Sequence, residues 1–455
     1  MNAPAFDQPA LRDQIANGAG LGRYILRNVR LDSAVAKTGT VDAIGYFLAD
    51  VTVEHGKILA TTAARSRSIE TSDDSAISID AGGRVALPTF VDCHTHLDKG
   101  HILPRTPAAN GTFDGALAAT RADRTANWSA SDVTRRMDFA LRSAFHYGTA
   151  AMRTHIDSQP PQDEISWPAF MELKQHWRGR IDLQASCLFP IDMARDDAFL
   201  ERIARHVAAA SGTLGAVAYP APDIDHLLDL MFRKAQQHGL NLDFHADETA
   251  NPKADGLRRI AEAAMRSSFG GQVLVGHCCS LAMQDEANVE ATLDKVATAG
   301  VAVVSLPTCN LYLQDRRQDG TTPKWRGVTL LHEMKRRGIP VALASDNTRD
   351  PFHSYGDLDM LDTYRLGTRV LHLDHPAGDW IRAVTTTPAG IMGLDGRGSI
   401  AEGHAADFIL FEGRSLSEVL SRAESNRIVV RNGAPITTSL PAYVELDGLE
   451  GMAPD

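Results

Sequence analysis

From residue 85 to residue 345 the chain repeats one pattern: a short apolar run, then a longer stretch with apolar residues at helical spacing. The runs at 85–91, 150–155, 181–188, 215–219, 240–245, 272–276, 301–306 and 340–344 predict buried strands. The stretches at 133–146, 199–210, 227–238, 256–265, 286–299 and 328–337 place apolar residues three and four apart and predict amphipathic helices. Strands alternating with helices imply a parallel sheet, and eight such units favour an α/β fold of the closed (β/α)₈ TIM-barrel type. An open doubly wound sheet is the competing arrangement. The first strand is not followed by a Gly-rich phosphate loop, which weighs against it.

The ends of the chain follow a different pattern. Residues 24–31, 50–59, 407–411 and 427–433 alternate apolar and polar positions, as half-buried strands do. The predicted organisation is a small β-sandwich domain built from residues 1–85 plus 396–455, with a barrel domain at 86–395 between them.

Composition narrows the partners. A chain of 455 residues with 44% hydrophobic content can bury one large core and one smaller one. The net charge of −11 and the absence of a Lys/Arg block argue against nucleic acid. No apolar run approaches the roughly 20 residues of a membrane span. The first residues lack a basic segment followed by an apolar one, so a secretory signal is not expected. The five cysteines show no metal-finger spacing and read as reduced thiols of a cytoplasmic protein.

In a barrel of this kind chemistry gathers at the carboxyl ends of the strands. The first strand runs into Asp92-Cys-His-Thr-His96. Residues two apart on a strand share a face, so His94 and His96 can aim at one point. A lone pair of this kind is a weak signal. It gains weight because His245 and Glu248 follow the fifth strand, His277 the sixth and Asp346 the eighth. Three histidines and a carboxylate are a donor set for a divalent metal.

The ordered set resembles the amidohydrolase superfamily, and within it the bacterial cytosine deaminase group. The segments that carry the resemblance are His94-Thr-His-Leu-Asp98, Arg153-Thr-His-Ile-Asp157, Ile181-Asp-Leu-Gln184, Asp243-Phe-His-Ala-Asp-Glu248, Gly276-His277, Asn310-Leu-Tyr-Leu-Gln314, Arg326-Gly-Val328 and Ser345-Asp-Asn-Thr-Arg-Asp-Pro-Phe352. The resemblance implies that His94, His96, His245 and Asp346 hold one divalent ion, zinc or iron, per chain. It implies that Glu248 moves protons, that His277 hydrogen-bonds the attacking oxygen, and that Asp346 acts as proton acceptor as well as ligand. Gln184, Asn347 and Phe352 correspond to substrate contacts, and Lys99 is expected to be a loop cation. Asn347 and Phe352 stand where the group shows an aspartate and a tryptophan, which points away from cytosine itself. The expected activity is deamination of an amino-substituted N-heterocycle by metal-activated water, with a small heterocycle as substrate, and the resemblance suggests a homo-oligomer. Removal of an alkylamine from a triazine, or opening of a cyclic amide, would use the same residues. A non-catalytic barrel is disfavoured because no ligand or proton carrier is missing.

Overall fold

The computed structural model describes residues 8–36, 40–64, 76–107, 109–375, 378–423 and 426–448. Backbone contacts group the chain into two units. One comprises Met1–Val91, His146–Ala150 and Leu373–Leu440, the other Asp92–Phe145, Ala151–His372 and Pro441–Asp455. The edges fall at 91 and 373, where the sequence pattern placed them at 85 and 396, and the last segment groups with the second unit.

Both ends of the chain build the first unit around one eight-stranded sheet. Its order is Ala434–Pro435, Arg427–Arg431, Phe408–Phe411, Val85–Pro88, Arg23–Asp32, Tyr46–Glu54 and Lys57–Ala63, with Ile77–Asp80 also paired to Arg23–Asp32. The period-2 alternation works as it should. Arg23–Asp32 buries Tyr24 and Leu26, then Val29 and Leu31. The change of phase coincides with a register shift against the neighbouring strand and with a left-handed Asn28 (φ +54°). These side chains pack with Phe47, Val51, Phe408, Leu410 and Val430 in one apolar cluster.

The second unit carries the parallel barrel. Its strands are β1 (Phe90–Thr95), β2 (Thr149–Asp157), β3 (Asp182–Leu188), β4 (Thr213–Ala218), β5 (Asn241–Ala246), β6 (Val273–His277), β7 (Ala302–Ser305) and β8 (Val341–Leu343), each beside the next. β1, β2, β6, β7 and β8 are buried along their whole length, as expected of a parallel sheet covered by helices. The ring closes where Thr95 bridges to Asp346 in parallel. There the Asp346 N–H donates to the His94 carbonyl at 2.9 Å. The Asp92 carboxylate accepts from Ser345 N (3.2 Å) and Ser345 Oγ (2.5 Å). The first strand thus clasps the chain just past the last.

One predicted strand divides in two. The run at 85–91 forms Val85–Pro88 in the small sheet and Phe90–Thr95 in the barrel, with the change at Thr89. Both pieces are wholly buried, so the apolar pattern carries no trace of the switch. The other seven strands lie within two residues of their predicted limits. Phe113–Asn127, Asp163–His176 and Met360–Leu371 are helices that the pattern did not single out. Among the described residues no helix is long and apolar enough to cross a membrane.

Candidate metal centre and active-site cavity

The strand ends bring the predicted donors together. His94, His277 and Asp346 converge within 4.8 Å of one another, and so do His94, His96, His155 and His245. His96 Nε2 lies 3.2 Å from Asp346 Oδ1 and 3.2 Å from His245 Nε2, and His94 Nε2 lies 3.6 Å from Asp346 Oδ1. Asp346 and His277 adopt φ of +64° and +69°. That left-handed backbone is uncommon for residues with a Cβ and turns each strand end sharply. Space for His94 comes from Gly276, where a Cβ would stand 2.9 Å from His94 Cε1. A larger side chain there would press into the His94 ring, one of the donors.

The chemistry of this cluster fits a divalent metal. Both ring nitrogens of His94, both oxygens of Asp346, and the Nδ1 atoms of His96 and His245 are buried with no hydrogen-bond partner among the described residues. Burying so many unpaired polar atoms is costly unless a cation satisfies them. Burial, then the neighbouring imidazoles, holds His94 well below the usual histidine range. For His96 the causes are burial and then Lys99, and for His245 burial and then His155. Neutral imidazole is the form that ligates. Separations of 3.2–3.6 Å suit donors that share one ion at roughly 2.0–2.1 Å and near-tetrahedral angles.

Beside the donors stands a proton-handling pair. Glu248 Oε1 is 3.3 Å from His277 Nδ1; in the cavity wall His277 is buried and Glu248 mostly so. Burial, reinforced by the Asp346 charge, pushes the Glu248 carboxyl well above its ordinary value. Burial also takes His277 down to about 3, so the ring is neutral. His277 Nε2 has no partner among the described residues.

These groups open into a cavity of about 710 Å³. Its walls include Phe113, Leu188, Phe189, Tyr219, Leu313 and Phe352. The Phe113 and Phe352 rings meet edge to face at 5.7 Å. Lys99 and Asn347 also line it. The Lys99 ammonium pairs with Asp157 at 3.1 Å and sits 5.5 Å from the Phe352 ring centre. Arg124 holds the other Asp157 oxygen at 3.0 Å.

Gln184 is the predicted site residue that the structure does not bring to this cavity. It is the third residue of β3, directly opposite Arg153 of β2 in the parallel register. Its Oε1 accepts from Arg153 Nη2 at 3.0 Å. What β3 and the turn after it deliver to the cavity is Leu188, Phe189 and Pro190. The reason is depth: Gln184 lies four residues before the strand's carboxyl end.

Two residues lie in segments that carry the resemblance but were assigned no role there. His155 of β2 packs its ring 4.0 Å from that of His94. Its Nδ1 faces the Thr95 carbonyl at 3.3 Å, and its Nε2 lies 3.2 Å from Asp243 Oδ1 without a hydrogen bond to it. It packs against His94 within the same donor cluster. Its place near a strand end was the available signal. Asn310, in the helix Pro307–Leu313, contacts both Glu248 and His277. No strand-end position marks it. All five cysteines are buried and unpaired.

Comparison with known proteins gives a consistent picture. A family model described as "Amidohydrolase family" matches residues 191–437. A pterin deaminase of Rhizobium rhizogenes (strain K84 / ATCC BAA-868) is 48% identical over 431 residues, covering 94% of this chain and 97% of that protein. The N-isopropylammelide isopropyl amidohydrolase of Pseudomonas sp. (strain ADP) is 24% identical over 368 residues, with 78% and 86% covered. The crystal structure of 5-methylcytosine deaminase from Klebsiella pneumoniae liganded with phosphonocytosine matches with a TM-score of 0.79 at 26% identity, covering 91% of this chain and 98% of that one.

Proposed function

The chain belongs to the amidohydrolase family and is a hydrolase of carbon–nitrogen bonds, and we propose that it is a cytoplasmic, single-metal deaminase of pterins. The observation that carries the ring system is the 48% identity, over nearly the full length of both chains, to a pterin deaminase. A cavity of about 710 Å³ with mainly apolar walls supports it. Such a space accommodates a fused two-ring substrate.

His94, His96, His245 and Asp346 would hold the ion, zinc or iron by donor type. The ends of β3 and β4 present Leu188, Phe189, Pro190, Val217, Ala218 and Tyr219, with no acid or lysine to bridge a second ion. When bound, the ion supplies the Lewis acidity that makes water nucleophilic near neutral pH. The protein groups then manage the protons. Glu248, whose carboxyl burial raises well above its ordinary value, gives its proton to the ring nitrogen next to the amine-bearing carbon as the water oxygen adds there. His277 Nε2 faces that oxygen and hydrogen-bonds it. The second Asp346 oxygen takes the proton that the water loses and passes it to the amine. The carbon–nitrogen bond breaks and ammonia leaves, and the proton still on the added oxygen returns to Glu248 as the ring carbonyl forms.

The test is ammonia release by the metal-loaded enzyme from pterin, cytosine, N-isopropylammelide and aminotriazines. Pterin should give the highest kcat/KM, at least about tenfold above cytosine. A higher value on cytosine or on a triazine overturns the assignment of the ring.

A further inference from the structure

We infer that Asn310 is a positioning residue whose single amide group fixes the ring tautomer of His277 and the orientation of the Glu248 carboxyl group. This rests on the deaminase reading above. Asn310 is fully buried in the helix Pro307–Leu313, which follows β7. Its Nδ2 stands 3.0 Å from His277 Nδ1 and 3.2 Å from Glu248 Oε1. An amide nitrogen carries two hydrogens and accepts nothing, so both neighbours must be acceptors. His277 Nδ1 is then a bare lone pair, and the hydrogen of the neutral ring is on Nε2. That nitrogen is buried, has no partner among the described residues, and belongs to a cavity-lining residue. The imidazole therefore offers an N–H, not a lone pair, to the oxygen that adds to the substrate. Glu248 Oε1 accepts the other amide hydrogen, which fixes the orientation of the carboxyl group.

The opposite amide orientation has distinct consequences. Asn310 Oδ1 would face Glu248 Oε1, and the two oxygens would repel unless the transferable proton were held between them and away from the substrate. His277 would need its hydrogen on Nδ1 and would present a lone pair to an oxygen gaining negative charge, which stabilises nothing. The same helical turn grips Glu248 a second time. Gln314 Nε2 donates to the Glu248 carbonyl at 3.3 Å, and the Gln314 N–H bonds to the Asn310 carbonyl at 2.9 Å. Side chain and backbone of Glu248 are thus referred to one rigid turn, the support that a proton carrier needs.

The experiment is nitrogen-15 NMR of the metal-loaded enzyme labelled at histidine, with the His277 signals identified by their loss in His277→Gln. The expected result is a hydrogen on Nε2 and an unprotonated Nδ1. A hydrogen on Nδ1 overturns the inference, and this measurement on the wild type decides even if Asn310→Asp fails to fold. Asn310→Asp keeps the shape but replaces donors by acceptors. It should move the hydrogen to Nδ1 and lower kcat on pterin by on the order of 10²-fold, as for loss of one donor to a developing oxyanion. KM and metal content should change by less than about threefold, because the effect is confined to the chemical step. A kcat within about threefold of wild type would defeat the inference. Failure of the wild type on pterin would defeat the substrate reading alone, since the tautomer is read without turnover.

Discussion

Asn347 Nδ2 donates to Asp350 Oδ2 at 2.7 Å, so an amide that lines the cavity is already committed on its donor side. Its Oδ1 accepts a long contact from the Cys309 thiol at 3.6 Å. Asn347→Asp would set two buried carboxylates against each other. The variant should lose roughly 1.5–3 kcal/mol, the range for a hydrogen bond to a charged group. Adding Asp350→Asn should restore most of this by reversing donor and acceptor. Urea unfolding of the four proteins tests the coupling. An Asn347→Asp protein as stable as wild type would show that the hydrogen bond does not form. Any gain in cytosine turnover should therefore be sought in the double variant.

Asp350 also gives a pH signature. Burial pushes its carboxyl up to about 6, against the hydrogen bond from Asn347 and the charge of Lys99. The folded state then binds this proton more tightly than the unfolded chain, whose carboxyl titrates near 3.8. The stabilisation is complete below the unfolded value and is lost as pH rises through about 6. Asp350→Asn does not titrate. Measured without metal, wild type should lose stability relative to the variant between about pH 4 and pH 6, by on the order of 2–3 kcal/mol. A constant difference across that window would contradict a raised pKa.

Metal content should track the donor set. His245→Ala and Asp346→Ala should each lower both bound metal and turnover, with turnover the more sensitive because three ligands still bind weakly. Chelation should lower the unfolding temperature, since the buried atoms of His94 and Asp346 then lack partners. Elemental analysis should give one equivalent per chain. Two equivalents, or full activity with none, would refute the assignment.

Glu248→Gln should keep the metal and the Asn310 contact, because glutamine retains the accepting Oε1. It cannot carry the proton, so kcat should fall by roughly 10²–10⁴-fold. A variant retaining more than about a tenth of the wild-type rate would assign proton transfer to another group.

The chain alone determined the barrel, because strand and helix periods are local properties, and seven of its eight strands fall where the pattern puts them. It determined His94 and His96 as a pair by the two-residue repeat of a strand. It also ordered His245, His277 and Asp346, since each closes or directly follows an apolar run. What it left to tertiary structure is depth and neighbourhood. Gln184 reads like a strand-end residue until the register of β2 and β3 sets it beside Arg153. The run at 85–91 reads as one strand because both sheets bury it completely. His155 gains its part only from Asp243 and the Thr95 carbonyl, and Asn310 only from Glu248 and His277, all supplied by other strands or strand ends. Contacts between residues so distant in sequence leave no periodic trace. They exist only once the strands that carry them lie side by side.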